Sequence, residues 1–60
     1  MKILAIDDEK DTREFLRDVL THEGHEVTTA GTAGEAMVYV QLARFDVVLL
    51  DIMMPGFDGH

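Results

Sequence analysis

Three aspartates are the residues whose placement in this chain points to chemistry. Asp51 ends the run Val47-Val48-Leu49-Leu50, and Asp7 and Asp8 follow the run Lys2-Ile3-Leu4-Ala5-Ile6. Neither run alternates apolar with polar residues, the pattern of strands covered on both faces in a parallel sheet. Ligands of open α/β sheets bind at the carboxyl ends of such strands, where these carboxylates emerge. Neighbouring strands lie about 4.8 Å apart, so the three acids converge if the two strands are adjacent. Two unit negative charges about 5 Å apart repel by about 3 kcal/mol at an effective dielectric near 20, so such a cluster calls for a cation. Oxygen donors suit a hard ion, and magnesium takes one or two carboxylates, keeps several waters and leaves room for a phosphate. The competing reading is helix capping, because Asp is common just before helices and Asp8 can serve there.

The segments between the two runs must position these acids. Phe15, Leu16, Val19 and Leu20 fall at helical spacing among Arg13, Glu14, Arg17 and Asp18, which predicts an amphipathic first helix. Asp11 with Glu14 fits a capping box, a start nearer Asp8 is the alternative, and Gly24 suits the C′ position. Glu9 and Arg13 have the i, i+4 order of a surface ion pair. Glu26-Val27-Thr28-Thr29-Ala30 is rich in β-branched residues and predicts a short strand with mixed faces, as at a sheet edge. Thr32 with Glu35 fits a second capping box, followed by Ala36, Met37, Val40 and Ala43 at helical spacing. The order is strand, helix, strand, helix, strand, then a loop, which implies a parallel sheet with right-handed crossovers.

Composition narrows the function further. Sixty residues make one small domain or less, and twelve acids against five bases give a formal charge of −7. That balance argues against direct nucleic-acid binding through a basic surface. No run approaches the roughly 20 apolar residues of a membrane span, and no signal peptide opens the chain, so a cytoplasmic protein is expected. Without cysteine there is no disulfide, thiolate metal site or Cys nucleophile. His22, His25 and His60 read as surface residues rather than as a zinc site. Met53 and Met54 do not make a soft-metal site beside so many carboxylates, and the turn Pro55-Gly56-Phe57-Asp58-Gly59 lacks the Gly-Lys-Ser/Thr ending of a P-loop. Tyr39 and Phe57 read as packing aromatics.

An acidic pair after the first strand, then an apolar strand ending in Asp51 and followed by Met-Met-Pro-Gly-Phe-Asp-Gly, resembles the receiver domain of two-component response regulators. Pro55 and Gly59 match that family's turn. The resemblance spans Met1 to His60 and the first half of the family's fold, so one truncated receiver domain, residues 1–60, is expected. It implies a flavodoxin-like βαβαβ unit with parallel strand order 2-1-3, the doubly wound order that the chemotaxis receiver shares. It also implies that Asp51 accepts a phosphoryl group from a histidine kinase or a phosphotransfer protein. Asp8, Asp51 and the backbone carbonyl of Met53 would ligate Mg2+, with Asp7 acting through water.

The rest of the family's fold, two strands and three helices, has no counterpart in these 60 residues. Its Ser/Thr and Lys that contact the phosphoryl group are likewise absent, since Lys2 and Lys10 are the only lysines. The third strand is therefore expected at a sheet edge with poorly covered side chains, and exposed edges pair with something. Self-association is the simplest remedy, with a homo-oligomer, most simply a two-fold dimer of order 2-1-3-3′-1′-2′ or a swapped dimer, completing the half-fold. Two functions compete on this basis. One is a phosphoacceptor receiver fragment, and the other a self-assembling structural half-fold with a vestigial acidic site. A magnesium phosphatase of the haloacid-dehalogenase kind needs a second Asp two residues after Asp51, where Met53 stands, and flavin binding has no motif beyond the fold.

Overall fold

In a computed structural model, residues 1–51 are described. They form β1 (Lys2–Ile6), α1 (Lys10–His22), β2 (Glu26–Ala30), α2 (Ala33–Leu42) and β3 (Val47–Leu50). The strands make one parallel sheet in the order β2-β1-β3, as the resemblance implied. Apolar β1 is central, with Ile3, Leu4, Ala5 and Ile6 all buried, so both of its faces are covered. Leu4 and Ile6 join Ala30 and the α2 residue Ala36 in one core, with Tyr39 and Phe45 packed against it. On the other face α1 reaches the sheet where the Arg17 guanidinium donates to the Thr29 hydroxyl at 2.8 Å.

Both helices pack on β1 and β2 and leave β3 uncovered among the described residues. Val48, Leu49 and Leu50 are accordingly exposed by 49%, 37% and 42%, the bare third strand that the sequence led one to expect. The Lys2 and Asp46 backbones fix where β3 begins. Asp46 N–H donates to the Lys2 carbonyl at 2.7 Å, and Lys2 N–H donates to the Asp46 carboxylate, also at 2.7 Å. Above this clip, the Lys2 ammonium lies 5.6 Å from the Phe45 ring centroid and 3.6 Å from the Glu26 carboxylate.

The helix ends divide the predictions. Thr32 is the N-cap of α2, accepting from Glu35 N–H at 3.1 Å, and the Glu35 carboxylate accepts in turn from Gly31 N–H at 3.1 Å. Gly24 follows α1 at φ 93°, a conformation that glycine adopts without a Cβ penalty. Asp11, by contrast, caps nothing. The helix begins at Lys10, and its N-cap Glu9 makes no side-chain cap bond. The expected stripe is also half wrong, because Phe15 and Val19 are exposed by 64% and 43% while Leu16 and Leu20 are partly buried. The two covered residues face strands that are too few to cover the other two. His25 is partly buried rather than on the surface, with Nδ1 3.1 Å from the chain's N-terminal nitrogen.

Candidate functional site

The register of the sheet builds the site. β1 and β3 pair Ile3 with Val47, Leu4 with Val48, Ala5 with Leu49 and Ile6 with Leu50, so the next step along both strands sets Asp7 beside Asp51. Asp51 N–H continues that ladder, donating to the Ile6 carbonyl at 3.0 Å. On the other side, Asp7 N–H donates to the Ala30 carbonyl at 3.1 Å, tying the same end of β1 to β2. The carboxylate oxygens of Asp7, Asp8 and Asp51 then lie within 4.8 Å of one another, with Asp7 buried, Asp51 partly buried and Asp8 exposed. Sequence reasoning named these three acids, and the fold brings them together. Met53, whose carbonyl completed the expected ligand set, lies outside the described residues, as do Pro55, Phe57, Gly59 and His60.

At 8% exposure, Asp7 is the one buried charged residue among those described. One oxygen accepts from Glu9 N–H at 2.9 Å, and the Arg13 guanidinium donates to the Asp7 backbone carbonyl at 2.8 Å. These two bonds hold the β1–α1 turn and explain two failed expectations. The side chain that secures the entry to α1 is Asp7 and not Asp11, and Arg13 reaches Asp7 instead of pairing with Glu9. Gly31 takes part through its small size. A Cβ there would stand 3.0 Å from Arg13 Nη1, so glycine leaves room for the guanidinium. The sequence offered Arg13 only as a surface partner for Glu9 and did not single out Asp46, because both act on backbone groups that no side-chain spacing reveals.

Beneath the acids, Ile6, Leu16, Leu49 and Leu50 line a cleft of about 230 Å³ whose polar mouth is Asp7 and Asp51. All three donors are hard oxygens, the kind that suits an ion keeping part of its water shell. No helix among the described residues is long and apolar enough to cross a membrane.

Comparison with known proteins agrees with this fold. The family model described as the response regulator receiver domain matches residues 3–60. The chain is 44% identical over 59 residues to response regulator MprA of Mycobacterium leprae, covering 98% of this chain and 26% of that protein. It superposes on the Vibrio cholerae chemotaxis protein CheY4 with a TM-score of 0.88 at 42% identity, over 92% of this chain and 46% of that one. Thermotoga maritima response regulator TrrA in complex with Mg(2+)-BeF gives a TM-score of 0.84 at 44% identity, over 92% and 48%. A complex of histidine kinase ThkA with TrrA gives 0.83 at 44% identity, over 92% and 47%. The chain thus spans about a quarter of the curated relative and about half of each solved neighbour. By sequence match and by fold, it belongs to the response regulator receiver domain family.

Proposed function

We propose that Asp51 is a phosphoacceptor, assisted by a magnesium ion held by Asp8, Asp51 and the Met53 carbonyl, with Asp7 acting through water. The observation that carries this reading is the convergence of three carboxylates within 4.8 Å at the carboxyl ends of two adjacent parallel strands. Such donors suit a hard divalent ion, and TrrA, 44% identical, was found with Mg(2+)-BeF. When bound, the ion neutralises charge on the incoming phosphoryl oxygens. The chain supplies the nucleophile and its placement. An Asp51 carboxylate oxygen attacks phosphorus in line, and the new P–O bond forms as the bond from phosphorus to the donor breaks. The donor leaves with that electron pair, and Asp51 becomes an acyl phosphate. Asp7, fixed by Glu9 N–H, would orient water at the site.

A histidine kinase or a phosphotransfer protein is the donor we infer, in keeping with the ThkA–TrrA complex. This reading makes the chain a cytoplasmic signalling module rather than an enzyme with turnover. Neither Lys2 nor Lys10 lines the acidic cleft, so phosphorylation from a small donor is expected to be slow and of low yield. Acetyl phosphate with Mg2+ should add one phosphoryl mass to the wild type and none to Asp51→Asn, and hydroxylamine should remove it. Phosphorylation that persists in Asp51→Asn would place the acceptor elsewhere.

The bare β3 supports a second reading, the assembling half-fold with a vestigial acidic site, in which two copies pair β3 antiparallel. An unmodified wild type in the same experiment, together with a dimer that Val48→Lys dissolves, would favour it.

A further inference from the structure

We propose that the outer face of α2 is a self-association surface on which a second copy of this chain docks, helix against helix and antiparallel. The surface is distinct from the acidic site and from the β3 edge, and it does not depend on the phosphoacceptor reading. Ala36 is 5% exposed and points α2 at the sheet. Val38, two residues further, lies about 200° around the helix and therefore opposite. Gly34, Val38 and Leu42 are spaced by four and form one ridge on that outer side. Val38 is 54% exposed and Leu42 77%, while a Cβ at Gly34 would meet nothing within 4 Å. Met37, 58% exposed, widens the apolar patch.

Two features select a second copy as the occupant. The ridge is self-complementary, because an antiparallel crossing centred on Val38 sets Leu42 of each helix over Gly34 of the other, a large side chain into an open notch. Charge agrees with that direction. Between Ala33 and Leu42 the only charged residue is Glu35, whereas α1 carries Lys10, Asp11, Arg13, Glu14, Arg17 and Asp18. The charges on α1 cancel, three bases against three acids, so what favours α2 is that fewer charged side chains must be desolvated there. The antiparallel sense brings exposed Arg44, just past one helix, toward the partner end that carries Glu35, whereas a parallel pair would set Glu35 beside Glu35. Opposed helix dipoles favour the same sense.

A contact of two short helices falls well below the roughly 800 Å² per partner of a standard interface, so a dissociation constant of about 0.1–1 mM is expected. Sedimentation equilibrium of the 60-residue chain from about 0.05 to 2 mM tests this, with circular dichroism on the same samples. The wild type should approach dimer mass. Leu42→Glu and Gly34→Leu should each weaken association by about tenfold or more. Gly34→Leu also replaces the poorest helix former but proline, so it should do this with helicity kept or raised. The double variant Gly34→Leu, Leu42→Gly exchanges knob and notch and should restore association. A wild type that stays monomeric at the top concentration overturns the proposal. So does a dimer that Gly34→Leu leaves intact, or one that only Val48→Lys on β3 dissolves.

Discussion

Asp51→Asn should stabilise this protein while abolishing its response to magnesium. The carboxylate oxygens of Asp7, Asp8 and Asp51 lie within 4.8 Å of one another, and at an effective dielectric near 20 each such charge pair costs about 3 kcal/mol. Asp8 is exposed and Asp51 only partly buried, so screening reduces the recoverable part to about 1 kcal/mol. An amide at position 51 keeps the shape and removes the charge. The melting temperature without metal should therefore rise by about 6 °C for a domain of this size, and less at high salt. Magnesium acts in the opposite sense. With a dissociation constant of about 1 mM, 10 mM metal stabilises the wild type by about 1.4 kcal/mol through mass action, whereas Asp51→Asn should gain at most about 0.3 kcal/mol. Urea titration of both proteins with Mg2+ and with EDTA measures the four stabilities, and the order of the two proteins should narrow or reverse on adding metal. If Asp51→Asn is no more stable than the wild type in EDTA at low salt, the three acids do not repel one another as their spacing implies.

The remaining expectations concern the elements that hold the site. Leu4 has no exposed surface, so Leu4→Ala should cost about 3 kcal/mol in urea unfolding, whereas Leu49→Ala, at a residue 37% exposed, should cost about 1 kcal/mol in the monomer. Equal costs would show that β3 is covered in solution. Thr32→Ala removes the acceptor of Glu35 N–H and should lower stability by about 1 kcal/mol, while Thr32→Ser should retain most of it.

Strands were legible from the sequence because their signal is the side-chain pattern itself. The apolar runs at residues 3–6 and 47–50 and the β-branched run from Glu26 match β1, β3 and β2 closely. The α2 start was legible for the same reason, since Thr32 and Glu35 bond at the spacing their types suggest. The α1 start was legible only through its alternative, a start nearer Asp8, since the helix begins at Lys10 with Glu9 as N-cap. Asp11 and Glu14 have the right types and spacing for a cap, but Asp7 occupies the backbone position from which a carboxylate reaches Glu9 N–H. Likewise, Phe15 and Val19 share a helical stripe with Leu16 and Leu20, yet burial depends on how many strands lie beneath, which a helix's own sequence does not record.

The acidic site was legible to the extent that register made it so. Three carboxylates at two strand ends converge only if β1 and β3 are adjacent and paired in the one register that sets Asp7 beside Asp51. A slip of one residue would turn every β3 side chain to the other face and move Asp51 along the strand. Four exposed-to-partly-buried β3 residues, with no helix over them among the described residues, specify that register weakly. The Asp46 carboxylate supplies what packing does not, because it captures Lys2 N–H while Asp46 N–H bonds the Lys2 carbonyl. Asp46 stands five residues before Asp51, so one acid outside the cluster fixes the distance at which the cluster forms. The geometry of the acidic site is thus set from the opposite end of β3 as much as by the carboxylates themselves.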